Sequence, residues 1–130
     1  MVAMKQELPA FITNGARRIT PAGLERLVRQ LPEVRLVATQ ATEFPQLADQ
    51  VGFLAELIED FYSGLSPNIP YTAIAEAAFA LSYLRKGIDI IPDAVSRLGY
   101  ADDAAIVAAV FENYKQVFVE HVLDRKSREP

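Results

Sequence analysis

The chain has no cysteine, no tryptophan and a single histidine in 130 residues. Without cysteine there is no disulfide framework, no thiolate-held metal and no thiol nucleophile. With one histidine, a Ser-His-Asp device would have to rest on His121 alone, and no His-Glu-x-x-His zinc motif exists. The neighbours of His121 at helical spacing, Val117, Phe118 and Val122, suit a packed or surface residue better than a general base. The six glycines are scattered singly, so neither a phosphate-cradling loop nor a Gly-x-Ser-x-Gly elbow is present. No apolar run approaches the ~18–20 residues of a membrane span. The longest candidate, Tyr71 to Leu84, contains Glu76, and the next, Ala104 to Phe111, ends at Glu112. The first sixteen residues carry Lys5 and Glu7 and no signal-peptide run, so cytoplasmic residence is the expectation.

What is present is a 51% apolar composition with nineteen alanines and a net charge of −4. That length suits one domain with a sizeable core, and so many alanines favour closely packed helices. The charge is unevenly spread: net +3 over residues 1–36, −8 over residues 37–112 and +1 over residues 113–130. Overall acidity argues against nucleic acid as a partner. Arg17, Arg18, Arg26, Arg29 and Arg35 make the N-terminal part basic. They read either as a solvated helix face or as a dock for an acidic partner or anionic lipid.

The local signals are helical throughout. Thr20-Pro21 is an N-cap followed by proline at the first helical position. Leu24, Leu27, Val28 and Leu31 follow at spacings of three and four, and Leu31-Pro32 predicts an end, with a further short helix over 33–41. Leu47, Val51, Leu54, Leu57, Ile58 and Phe61 form an apolar stripe that stops before Gly64. Residues 63–70 predict a loop. From Pro70 to Lys86 the chain is apolar nearly all round, which predicts a central helix capped at Gly87. A short turn over 92–98 precedes a last helix from Asp102 to about Arg125. The expected fold is all-α: a compact bundle of about five helices with two long C-terminal helices joined by an acidic turn. Residues 1–19 read as an N-terminal arm, 20–126 as one helical domain and 127–130 as a polar tail.

One stretch concentrates chemistry-bearing groups. Asp89, Asp93, Asp102 and Asp103 fall within fifteen residues. Several carboxylate oxygens converging between two helices would suit a divalent cation such as Mg, Mn or Ca. Equally, Asp102 is placed to cap the last helix and Asp103 to sit in its first turn. Glu76, among alanines, either reaches the rim of the bundle or is buried and paired with Arg85 or Arg97.

The run Gly87-Ile88-Asp89-Ile90-Ile91-Pro92-Asp93 through Asp102-Asp103 resembles the signature of the YkvA-like family, small bacterial domains of unknown function. Asp89, Pro92, Asp93, Gly99, Asp102 and Asp103 match its pattern residue by residue, over roughly residues 70–111. The chain departs from it at Lys86-Gly87, where the family often has Ser-Pro. The resemblance implies a helical hairpin around the acidic turn and implies no reaction. It also implies membrane association in relatives, of which this chain, with Glu76, Glu112, Lys115 and Glu120, resembles a soluble version. Phe111, Phe118 and Val122 lie beyond the face that the core needs. The expectation is therefore a non-enzymatic interaction or oligomerisation module, with a protein partner or second copy and no cofactor. A cation site at the four aspartates and peripheral membrane contact are the alternatives.

Overall fold

The computed structural model describes residues 2–90 and 93–128, and side chains over 7–86 and 100–128. Its six helices are α1 (Val2–Ala16), α2 (Pro21–Thr39), α3 (Gln46–Tyr62), α4 (Tyr71–Ile90), α5 (Asp93–Asn113) and α6 (Lys115–Arg128). No strand occurs among the described residues, as the all-α expectation required. Ile91 and Pro92 of the acidic turn lie outside the described residues.

Helix α2 starts where the sequence predicts. Thr20 Oγ1 accepts from the Gly23 N–H at 3.0 Å, and Pro21 occupies the first turn. It does not stop at Pro32, however, but runs through it to Thr39. An internal proline costs a helical hydrogen bond and about 3 kcal/mol. Against that stands the burial of Leu31, Val34, Val37 and Ala38 on one continuous face, at ~1.5–3 kcal/mol for each large side chain. The burial wins, and the separate helix expected over 33–41 is the second half of α2. Helix α3 buries the expected stripe of Leu47, Val51, Leu54, Leu57 and Ile58. It ends at Ser63, followed by Gly64 at φ +85°, a left-handed conformation that favours glycine.

Helix α4 is the centre of the molecule, packed against α1, α2, α3 and α5. Ala73, Ile74, Ala77, Ala78, Ala80, Leu81 and Leu84 are all buried. Alanines contribute little burial energy each; their effect is to let four helices approach one axis. Gly87 does not cap α4, which continues through it to Ile90. Glycine inside a helix costs about 1 kcal/mol, too little to end a helix held on four sides. Helix α1, built from the N-terminal arm, docks on α4 through Ile12 and Ala16. Phe11 stands edge-on to Phe79 and Tyr83, at centroid distances of 5.4 and 5.9 Å.

The C-terminal third also divides differently from the expectation. Residues 93–98 and the start of the last helix are one element, α5, and the helical path breaks at Tyr114. The side chains at that break are anchored elsewhere. Asn113 Nδ2 and the Tyr114 hydroxyl donate to the two Glu76 carboxylate oxygens of α4, at 3.2 and 2.9 Å. Helix α6 then crosses to α3, where Phe118 meets Phe53 at 5.2 Å between centroids.

A close approach sets the α1–α4 spacing. A Cβ on Gly15 would lie 2.1 Å from the Phe79 ring, whereas one on Gly52 would meet nothing within 4 Å. Gly15→Ala should therefore destabilise the fold by ~1–3 kcal/mol through overpacking. Gly52→Ala, on α3, should stabilise it by up to about 1 kcal/mol. Urea unfolding of both variants checks this, and a neutral Gly15→Ala would contradict the packing described.

Candidate functional site

The structure separates the sequence candidates. Asp102 and Asp103 lie well inside α5, which begins at Asp93, so neither caps a helix or sits in a first turn. Asp103 is only 3% exposed, and its Oδ1 has no hydrogen-bond partner. Burial, reinforced by the charge of Asp102, pushes its carboxyl up from 3.8 to about 7. The side chains of Asp89 and Asp93 lie outside the described residues. Among the described residues no three acidic or histidine side chains gather as a metal would require.

Glu76 is buried and is satisfied by Asn113 and Tyr114, two neutral donors, rather than by a base. Of the two bases expected, Arg85 instead reaches Glu33 at 3.3 Å, and Arg97 lies outside the described side chains. The basic set also divides. Arg29 pairs with Glu25 at 3.0 Å, and Arg35 grips both Glu59 oxygens at 3.0 and 3.3 Å. Arg18 and Arg26 face the corner between α1, α2 and α4.

His121 is packed, as its neighbours suggested, and has a partner that sequence spacing could not reveal. Its Nε2 lies 3.4 Å from Oδ2 of the buried Asp60 on α3, without the alignment of a hydrogen bond. Arg125 donates to the same oxygen at 2.9 Å and pairs with Glu56. Burial lowers the imidazole's proton affinity, and Asp60 opposes that effect. Beside them opens a cleft of about 540 Å³, lined by Ser66, Asn68, Glu120, His121 and Asp124 among others. Ser66, His121 and Asp60 are the residue types of a nucleophilic device. Here the Ser66 hydroxyl accepts from Arg128 at 3.2 Å, and Arg128 also holds the Leu65 carbonyl. These groups tie the α3–α4 loop to α6.

An apolar concavity lies on the other side of α6. Phe53 of α3, Phe111 of α5 and Phe118 of α6 form its floor, with centroid distances of 5.1–5.6 Å. Its volume is about 570 Å³. Val119, Val122 and Leu123 stand along one wall, the last 60% exposed, and Gln50, Glu112 and Lys115 are its polar residues. Phe111 and Val122 belong to the surplus apolar face expected from the sequence. Phe118 does not: it is buried in the core. Phe53 escaped the sequence reading because it falls outside the α3 stripe. Its only available signal was an aromatic residue on the half of α3 that the stripe leaves unused.

The fold and groove thus define a small all-α bundle with an exposed apolar groove between α3, α5 and α6. The model of a family described as "Protein of unknown function (DUF1232)" matches residues 73–109, nearly all of α4 and α5. This is the YkvA-like family that the acidic stretch resembles, and the chain is similar to it over less than a third of its length. No curated protein and no solved structure matches the chain. Among the described residues no helix is long and apolar enough to cross a membrane.

The raised proton affinity of Asp103 has a sign. The folded state holds its proton up to about pH 7 and the unfolded chain releases it near 3.8. The contribution is therefore complete below 3.8 and is lost as pH rises through 7. Asp103→Asn, which carries no charge, should gain on the wild type in stability between those limits. Denaturant unfolding across that range checks it; parallel curves would contradict the assignment.

Proposed function

We propose that the chain is a non-enzymatic oligomerisation module whose partner is a second copy, docked through the groove between α3, α5 and α6. The single observation that carries this reading is the apolar concavity itself. Its aromatic floor is flanked by Val119, Val122 and Leu123, which are 41–60% exposed. Contiguous apolar surface of this kind marks association sites.

The argument for a second copy is self-complementarity. In a two-fold interface, each patch meets its own image. This face carries both the projecting row on α6 and the hollow over Phe53 and Phe111 that would receive such a row. It is lined by one acid, Glu112, and one base, Lys115, so a two-fold axis passing between them would set each against its opposite on the second copy. The test is sedimentation velocity at micromolar concentration. Wild type should sediment as a dimer and Val122→Glu/Leu123→Glu as a monomer that keeps the far-UV circular dichroism of a folded helical protein, since both side chains are exposed. A monomeric wild type, or a double variant that still dimerises, would refute it.

A cation at Asp89, Asp93, Asp102 and Asp103 is the competing reading. Its support is the unpartnered, buried Oδ1 of Asp103 beside Asp102. It predicts that Mg, Mn or Ca raises the Tm of wild type and not of Asp103→Asn. A thermal-shift titration in which no ion distinguishes the two proteins would remove it.

A further inference from the structure

The corner where α1 turns into α2 against α4 holds a second, quite different concavity. Its volume is about 340 Å³, and four cationic side chains line it: Arg18, Arg26, Arg85 and Lys86. They come from the α1–α2 turn, from α2 and from the end of α4, so the tertiary fold assembles them. The close contact of Gly15 with Phe79 seats the turn against α4 and so brings Arg18 to the α4 cations.

Glu33 pairs with Arg85 at 3.3 Å, and Asp102 and Asp103 act on Tyr83, raising its proton affinity after burial has done so. Among the described residues, no acid lies within ion-pairing distance of Arg18, Arg26 or Lys86. Elsewhere on the molecule Arg29, Arg35, Arg125 and Arg128 all have carboxylate partners. Gathering Arg18, Arg26 and Lys86 in one hollow sets like charges beside one another, a repulsion that an entering anion relieves. The guanidinium of Arg26 also lies over the first turn of its own helix, 3.8 Å from the position of a Gly23 Cβ. The positive end of the dipole is there, where a cation is disfavoured. Thr20, Ser82 and Tyr83 line the same walls with hydroxyl groups. Since Thr20 already takes the Gly23 N–H, side chains and not the helix end make the site.

From this geometry we infer that the α1–α2–α4 corner binds a phosphoryl group. The forked donors of Arg18 and Arg26, the point charge of Lys86 and the hydroxyls match a tetrahedral oxyanion's charge and acceptors. The phosphoryl group belongs either to a small soluble molecule or to a lipid headgroup.

Inorganic phosphate is the probe, titrated into ¹⁵N-labelled full chain at constant ionic strength. Amides of residues 15–30 and 82–86 should shift saturably in wild type. Arg18→Gln/Arg26→Gln should weaken binding by at least about tenfold, as the loss of two charge-assisted contacts predicts. Arg17→Gln/Arg29→Gln changes the net charge equally outside the hollow and should bind as wild type does. Flotation with phosphatidylcholine vesicles, with and without phosphatidic acid, separates the sources. Flotation that requires phosphatidic acid and Arg18/Arg26 assigns the group to a lipid; phosphate binding without flotation assigns it to a soluble ligand. The inference is overturned if phosphate shifts no amide in the corner. Equal loss of affinity in the two double variants would overturn it too, because nonspecific charge would then account for the binding.

Discussion

Everything in this bundle depends on α4 being surrounded. A helix packed on four sides cannot carry bulky residues all round, and alanine at 73, 77, 78 and 80 is what lets α1, α2, α3 and α5 reach it together. The larger side chains, Ile74, Leu81 and Leu84, fill the spaces between those neighbours. The same constraint explains why the fold tolerates its own stop signals. Pro32 and Gly87 each weaken a helix locally, but both helices are fixed by tertiary burial over most of their length.

The polar groups admitted to this interior are few, and they locate the joints. Glu76 faces out of α4 at the point where α5 gives way to α6, and its two oxygens take the Asn113 and Tyr114 donors at the break. Two hydrogen bonds offset the cost of burying the Glu76 carboxylate, whereas Asp103, with an unpartnered Oδ1, holds its proton instead. Asp60 plays the corresponding part for α6, drawing in His121 and Arg125 from two successive turns. Helix α6 is thus positioned by polar anchors on one flank and by the phenylalanine cluster on the other. Its remaining apolar residues are left facing outward because no seventh helix covers them among the described residues.

Much of this was legible in the sequence, and the failures share one cause. The cap at Thr20, the α3 stripe and the centrality of α4 follow from local chemistry and periodicity, which the structure preserves. The ends predicted at Pro32 and Gly87, and the start predicted at Asp102, rest on punctuation worth ~1–3 kcal/mol. In α2 the long-range burial of Leu31, Val34 and Val37 outweighs it. The groove was half legible: a last helix with more apolar residues than one face can hold announces a surface, but Phe53 comes from a helix fifty residues away. The pairing of His121 with Asp60 lies wholly beyond sequence reading. It joins two residues 61 positions apart, with no local signal on either side.

In the proposed dimer α4 is the fixed axis and a second copy covers the outer face of α6. Hydrogen–deuterium exchange at two protein concentrations, one on each side of the association midpoint, tests both halves at once. The α4 amides between Ala73 and Leu84 should exchange slowest at either concentration, while those of Lys115 to Leu123 slow markedly at the higher one. Exchange in α6 that ignores concentration, or α4 amides that exchange as fast as those of α1, would contradict it.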